Sequence, residues 1–338
     1  AFQGVGVVWL GSLSWRVGRL PLVLVTMVVT VLSYASVDAS ILLEPWNPHL
    51  VFPWFALFIM YAWRLALAET KRLPGALISG SVIVQLHVGY VPFLVGAAAM
   101  VAAFCVLDLR RGRRWQWSSR SLRLAAASFA LLWLPVVVDA ILRPPGNLVQ
   151  VMKYFTVGSG GEEVTGPAAG LGLLADQFRL SPDWISGPRL LDVDGSSRPG
   201  SAWFILVPLA LMTLGIVAAR RTGIIADRRL MTIVGGMVGI GVLTLARVSG
   251  DLLPYLFYWR IPLALLLMVA VSWAVWHWIE ESLRDSVVER CQRAAPPIVV
   301  VVLFLVVSPL TRAVVDHPPA IDQVEASVEA MTEQIAVE

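Results

Sequence analysis

Apolar residues in this chain run in long blocks, and the polar residues collect between the blocks rather than alternating within them. A bilayer core of about 30 Å takes about 20 apolar residues of helix. Blocks that meet or approach that length cover residues 2–13, 20–37, 51–68, 75–86, 91–107, 122–142, 202–219, 230–246, 255–279 and 298–310. The pattern predicts an all-α, polytopic transmembrane bundle of about ten segments. The fourth and fifth are half-length because Gly89 and Pro92 interrupt one apolar run. Breaks of that kind are kept where protein or a water-filled cavity satisfies the freed backbone groups. The first block is short, and the chain opens on Ala1 already in apolar sequence, so it reads as lacking its true N-terminus.

Between the sixth and seventh blocks lies a long loop, 143–201. Residues 147–155 have the look of an interfacial amphipathic helix, with aromatic side chains suited to the headgroup level. Residues 158–161 form a glycine joint, 167–180 a second surface helix, and 189–200 turn and coil. The chain divides into a membrane domain, 1–312, and a tail, 313–338. In the tail, Val324, Val328, Met331 and Ile335 fall on one face of an acidic helix that needs a partner surface, as the start of a soluble domain would. No internal repeat is present, which counts against transporters built from inverted repeats.

Composition agrees: 57% of the residues are hydrophobic and 14% charged, against about 25% charged in soluble domains. Two distant cysteines, Cys105 and Cys291, support neither a disulfide framework nor a zinc site. No cofactor is expected; a divalent metal has no support in the sequence, and no nucleic-acid partner is expected.

The distribution of charge matters more than its sum of +3. With Arg16 and Arg19 in the cytoplasm, every later turn alternates. Seventeen of the 26 Lys and Arg then lie on the cytoplasmic side and eight on the outer side, with Arg64 inside a helix. Orientation follows from that bias, and it places the chain in the plasma membrane with its polar clusters on the non-cytoplasmic face.

Two of those clusters stand out, since polar groups at membrane depth are expensive. Glu44-Pro-Trp-Asn47-Pro-His49, beside Asp38, is either an ordinary proline-led helix entry or one wall of a site. Gln85-Leu-His87-Val-Gly-Tyr90-Val-Pro92 crowds three hydrogen-bonding side chains at a helix break. There His87 can position an acceptor or shuttle a proton. Arg247 and Arg260, on one outer turn with Tyr255 and Tyr258, read equally as a clamp for a lipid phosphate or as snorkelling residues in an aromatic belt. Asp139 and Arg143 have the spacing of a helical ion pair. Asp192-Val-Asp194 reads as a turn, and the basic stretch 110–123, with Trp115 and Trp117, as a topology determinant against anionic lipid.

Taken in order, these residues resemble a family. The Pro-Trp-Asn-Pro element, Ala62-Trp63, the Gln85 to Pro92 break, Trp133-Leu-Pro135, Pro145-Gly-Asn147-Leu and Lys153-Tyr-Phe155 together look like bacterial GT-C membrane glycosyltransferases of the mannosyl- and arabinosyltransferase group. The resemblance covers most of residues 1–312. It implies an outward-facing site, a polyprenyl-phosphate-linked sugar as donor, and a glycan, lipid or protein acceptor, with membrane lipid around it. The family's catalytic carboxylate lies in its first outer loop. Residues 2–13 run from outside to inside as a second helix would, so that loop would precede Ala1 and the catalytic residue is unassigned. The resemblance makes Glu44, Asn47, His49, Gln85, His87 and Tyr90 substrate-binding candidates, and Lys153, Arg247 and Arg260 lipid-phosphate candidates. A lipid or glycan flippase, which would carry polar residues through the midplane, and a non-catalytic scaffold are the alternatives.

Overall fold

A computed structural model describes residues 2–37, 47–146, 149–150, 153, 164–186, 200–250, 252–281, 283, 294, 297 and 300–301. Its helices are α1 (Phe2–Ala35), α2 (Phe52–Ala66), α3 (Leu73–Leu86), α4 (Val91–Arg110), α5 (Ser119–Leu142), α6 (Gly166–Ala175), α7 (Asp183–Ser186), α8 (Leu206–Thr222), α9 (Ile225–Leu245) and α10 (Arg260–Glu280). The described residues contain six helices long and apolar enough to cross a membrane. They are α1, α5, α9, and α4, α8 and α10 with their leading 3₁₀ turns. The chain is therefore an all-helical, multi-pass membrane protein. The expected count of ten is not reached on that measure: α2 and α3 have 15 and 14 residues. Blocks 2–13 and 20–37 both fall within α1, which is two helices joined at a kink, and most of 298–310 lies outside the described residues.

That first element is a folded-back pair. Gly18 and Arg19 leave helical geometry, and the Ser14 and Thr26 hydroxyls meet at 3.0 Å, as antiparallel helices allow. Of the two expected half-length helices only α3 is short; with the 3₁₀ turn Val88–Tyr90, α4 spans 23 residues.

Everything packs around α2. A helix that is apolar on all sides must be buried on all sides, and every residue of α2 except Arg64 is buried. Helices α1, α3, α4, α9 and α10 surround it. At about 22 Å it is shorter than the bilayer core, so both its ends must be satisfied by protein. Its last four carbonyls are: Trp63 and Arg64 accept from the Leu67 amide, Arg64 also from Glu69, and Leu65 from Ala68. The Ala66 carbonyl accepts from the Arg229 guanidinium.

Arg229 sits at the basic end of the bundle, where Arg16, Arg72, Arg110 and Arg220 also lie. It is buried, pairs with the buried Asp108 and lies over the Phe104 ring at 5.2 Å. Trp115 donates its indole N–H to Asp108 at 3.0 Å. Arg228 and Arg229 lie within the first turns of α9, which begins at Ile225. Arg228 caps α8 through the Ala219 carbonyl at 3.1 Å, and Arg229 ties α4 and α9 to the end of α2. Asp227, also buried, meets Nδ1 of His277 at 2.7 Å. Glu69, in the turn between α2 and α3, pairs with Arg64 and Arg72. Burial alone would raise its carboxyl; the two guanidiniums outweigh that and hold it below the usual range.

Removing one partner of a buried ion pair costs about 3–5 kcal/mol. Arg229→Gln is expected to lower the thermal unfolding temperature of the detergent-purified protein sharply, and Asp108→Asn to do so less. Because the folded-state value of Glu69 is depressed, its contribution is present above the ordinary Glu value and is lost as pH falls through the lower one. Acid melting curves of Glu69→Gln are expected to lack that loss.

Candidate functional site

At the opposite end of the bundle three helix-ending turns converge. The 3₁₀ turn Asn47–His49 precedes α2, Val88–Tyr90 separates α3 from α4, and Pro254–Phe257 leads into α10. Prolines near each turn explain the stops: Pro53 and Pro92 occupy first-turn positions where a helix needs no N–H, and Pro254 opens its turn. The third turn joins the other two. Tyr255 lies 6.5 Å from the His87 ring, and Tyr258 lies 6.0 Å from the His49 ring. Beneath them runs an aromatic floor: Phe52 beside Tyr34 and Tyr258, Phe55 beside Tyr90, and Phe93 against Trp259 at 4.6 Å.

The polar atoms of this aromatic end are mostly neutral. Nδ1 of His87 accepts the Gly89 amide at 3.1 Å. An accepting Nδ1 requires the neutral ring with its proton on Nε2. The Tyr34 and Tyr90 hydroxyls and the Trp54 and Trp259 indole N–H groups are buried with no hydrogen-bond partner among the described residues. Each such group costs about 1–3 kcal/mol, and native proteins leave few of them.

The expected site residues divide. His49, His87 and Tyr90 come together here, with His49 and Tyr90 buried and His87 half-buried. Asn47 is exposed on the first turn. Gln85 is exposed, and its amide donates to the Leu132 carbonyl at 3.0 Å, which ties α3 to α5. Lys153 is exposed. Glu44, Asp38, Asp192 and Asp194 lie outside the described residues, as does the tail. Arg247 and Arg260, read equally as a clamp or as snorkelling residues, sit differently. Arg247 is exposed just after α9, where the neighbouring Ala246 carbonyl takes the Gly166 amide at the start of α6. Arg260 is buried over Phe257 and donates to the Leu173 carbonyl near the far end of α6, at 2.9 Å. About 10 Å of helix rise separates the two ends. Arg260 pins α6 to the bundle.

The helix expected at 167–180 is likewise no surface helix. Leu173, Leu174, Ala175, Asp176, Gln177 and Phe178 are all buried. Gly170 lets α6 approach the end of α9 so closely that a Cβ would stand 2.8 Å from the Ala246 amide nitrogen. The Gly170 and Gly172 pair in an apolar stretch was the available signal. Unforeseen too was a buried polar knot following α6. Asp183 accepts from Gln177 at 3.2 Å and pairs with Arg179 at 2.6 Å, and Trp184 donates to the Gln177 carbonyl.

Among the described residues no three His, Cys, Asp or Glu side chains gather to hold a metal. A cavity of about 660 Å³ lies elsewhere, between the first half of α1, Tyr61 and Arg72. No family model matches the chain, and no curated protein or solved structure is similar to it.

If the buried hydroxyls await a ligand, removing them relieves the empty protein. Tyr90→Phe and Tyr34→Phe are expected to raise the unfolding temperature of the ligand-free protein, each by up to about 1–3 kcal/mol of stability.

Proposed function

We propose that the chain is an integral-membrane glycosyltransferase of the GT-C type, taking a sugar from a polyprenyl-phosphate donor at the outer face of the plasma membrane. The observation that supports this reading best is the convergence of His49, His87, Tyr90, Tyr255 and Tyr258 at the end of the bundle that carries few cations. In this reading α1 crosses twice, and α2 and α3 each cross. The basic end is cytoplasmic by the positive-inside bias.

The chemistry is that of the reaction class, with its carboxylate base unassigned in this chain. A carboxylate base removes the proton of the acceptor hydroxyl as that oxygen attacks the anomeric carbon. The leaving phosphate is stabilised by cations. Arg247, exposed beside α6, is the cation suited to the donor phosphate, since Arg260 already donates to Leu173. His87, through its Nε2–H, and Tyr90 hold the sugar or the acceptor in line. The buried hydroxyls of Ser14, Thr26, Thr30, Ser33 and Ser79 each bond a carbonyl of their own helix, so they supply no free polar path through the midplane of the kind a flippase would use.

The test is turnover in proteoliposomes supplied with polyprenyl-phosphate sugars and an envelope glycan extract. The expected result is sugar transfer by the wild type. His87→Ala should lower kcat by about 100-fold through lost positioning, and Arg247→Gln should raise the donor KM by about tenfold. Correctly folded protein that neither binds nor consumes the donor, or a His87→Ala variant with wild-type turnover, would sink the reading.

A further inference from the structure

The cavity beside α1 lies well away from the aromatic end, and its lining has a direction. Gly4, Val8, Ser12 and Arg16 follow one another at intervals of four, the spacing of one helical face, and all four line it. Val5 and Val8 are 55% and 73% exposed, so this face is open to whatever surrounds the bundle. Trp9 and Leu13 flank that face on α1, and Tyr61 of α2 and Arg72 complete the lining. Its floor is rigid: the Trp9 indole donates to the Tyr61 hydroxyl at 2.7 Å, and Gly75 lies so close under the Tyr61 ring that a Cβ would stand 2.3 Å from Cζ.

Apolar residues thus line one stretch of the groove, and two guanidiniums stand at one end. Arg16 is exposed, and Arg72 reaches in from the turn before α3. Glu69 lies between Arg72 and Arg64 and neutralises part of their charge. Arg16, Arg64, Arg72 and Glu69 together remain net positive. From Gly4 to Arg16 the face is about 18 Å long, close to the roughly 15 Å of a single leaflet's hydrocarbon. A soluble anion would leave the apolar stretch bare, and a spanning helix would run past Arg16.

The geometry points to a binding site for one anionic glycerophospholipid of the leaflet on the basic side. An acyl chain lies along Gly4, Val8 and Ser12, and the phosphate is held between Arg16 and Arg72. The cavity volume of about 660 Å³ falls within the usual range for sites that enclose a small molecule, about 300–1,000 Å³.

Two exposed positions make the test clean. Arg16→Gln removes one cation, and Val8→Trp fills the groove; neither side chain is buried, so both variants should melt like the wild type. The full chain in detergent is titrated with phosphatidylglycerol or phosphatidylcholine, and bound lipid is counted by native mass spectrometry. Wild type should hold one phosphatidylglycerol in preference to phosphatidylcholine. Arg16→Gln should weaken phosphatidylglycerol by about fivefold and leave phosphatidylcholine unchanged, from about 1 kcal/mol per basic residue. Val8→Trp should displace that lipid. Equal binding of the two lipids by wild type, or unchanged phosphatidylglycerol binding in both variants, overturns the assignment.

Discussion

The structure turns on the burial of α2, a helix too short for the bilayer it sits in and apolar on every side. Lipid offers no hydrogen bonds, so each backbone group left over at its two ends needs a protein partner. At the basic end this is met by a wound-up terminus and one guanidinium, with the Ala66 carbonyl and the Asp108 carboxylate sharing Arg229. A charge is thereby brought into the bundle, and the carboxylate on α4 follows from it. Trp63, whose indole donates to the Ala226 carbonyl at 2.9 Å, adds a second tie from α2 to the start of α9.

The two ends answer the same need with different chemistry. Ion pairs and arginine caps hold the basic end: Arg229 with Asp108, Arg228 over the end of α8, and Glu69 between two arginines. Proline stops and aromatic packing hold the other, with buried hydroxyl and indole groups left unpaired. The first arrangement pairs most of its polar atoms, Arg64 Nε and Asp227 Oδ1 excepted, whereas the second leaves two hydroxyl and two indole groups without a partner among the described residues. That difference, more than any residue type, separates scaffold from candidate site.

Most helix positions were legible in the sequence because membrane blocks are read from hydropathy alone. The break at His87 was legible as well, since Gly89 and Pro92 mark it directly. What stayed hidden depended on pairing across the bundle. Asp108 and Arg229 are far apart in the chain, and nothing in either local stretch names the other, although a carboxylate inside an apolar helix does call for a cation. Arg260 looked like a phosphate ligand because its turn carries tyrosines; only the approach of α6, made possible by Gly170, reveals that its N–H groups point to a carbonyl. The role of Tyr255 and Tyr258 in joining the two histidine clusters needed the fold.

Helix α5 has the least buried membrane face among the long helices and packs mainly on α3. Two hydrogen bonds join them, Trp133 to the Ser81 hydroxyl at 3.0 Å and Gln85 to the Leu132 carbonyl. At 24 residues α5 is about 36 Å long, more than a bilayer core of about 30 Å, and an over-long helix adapts by tilting. The bonds at 81 and 85 that resist such a tilt lie six and two residues before His87. Bilayer thickness thus acts as a mechanical load on the turn that shapes the aromatic end.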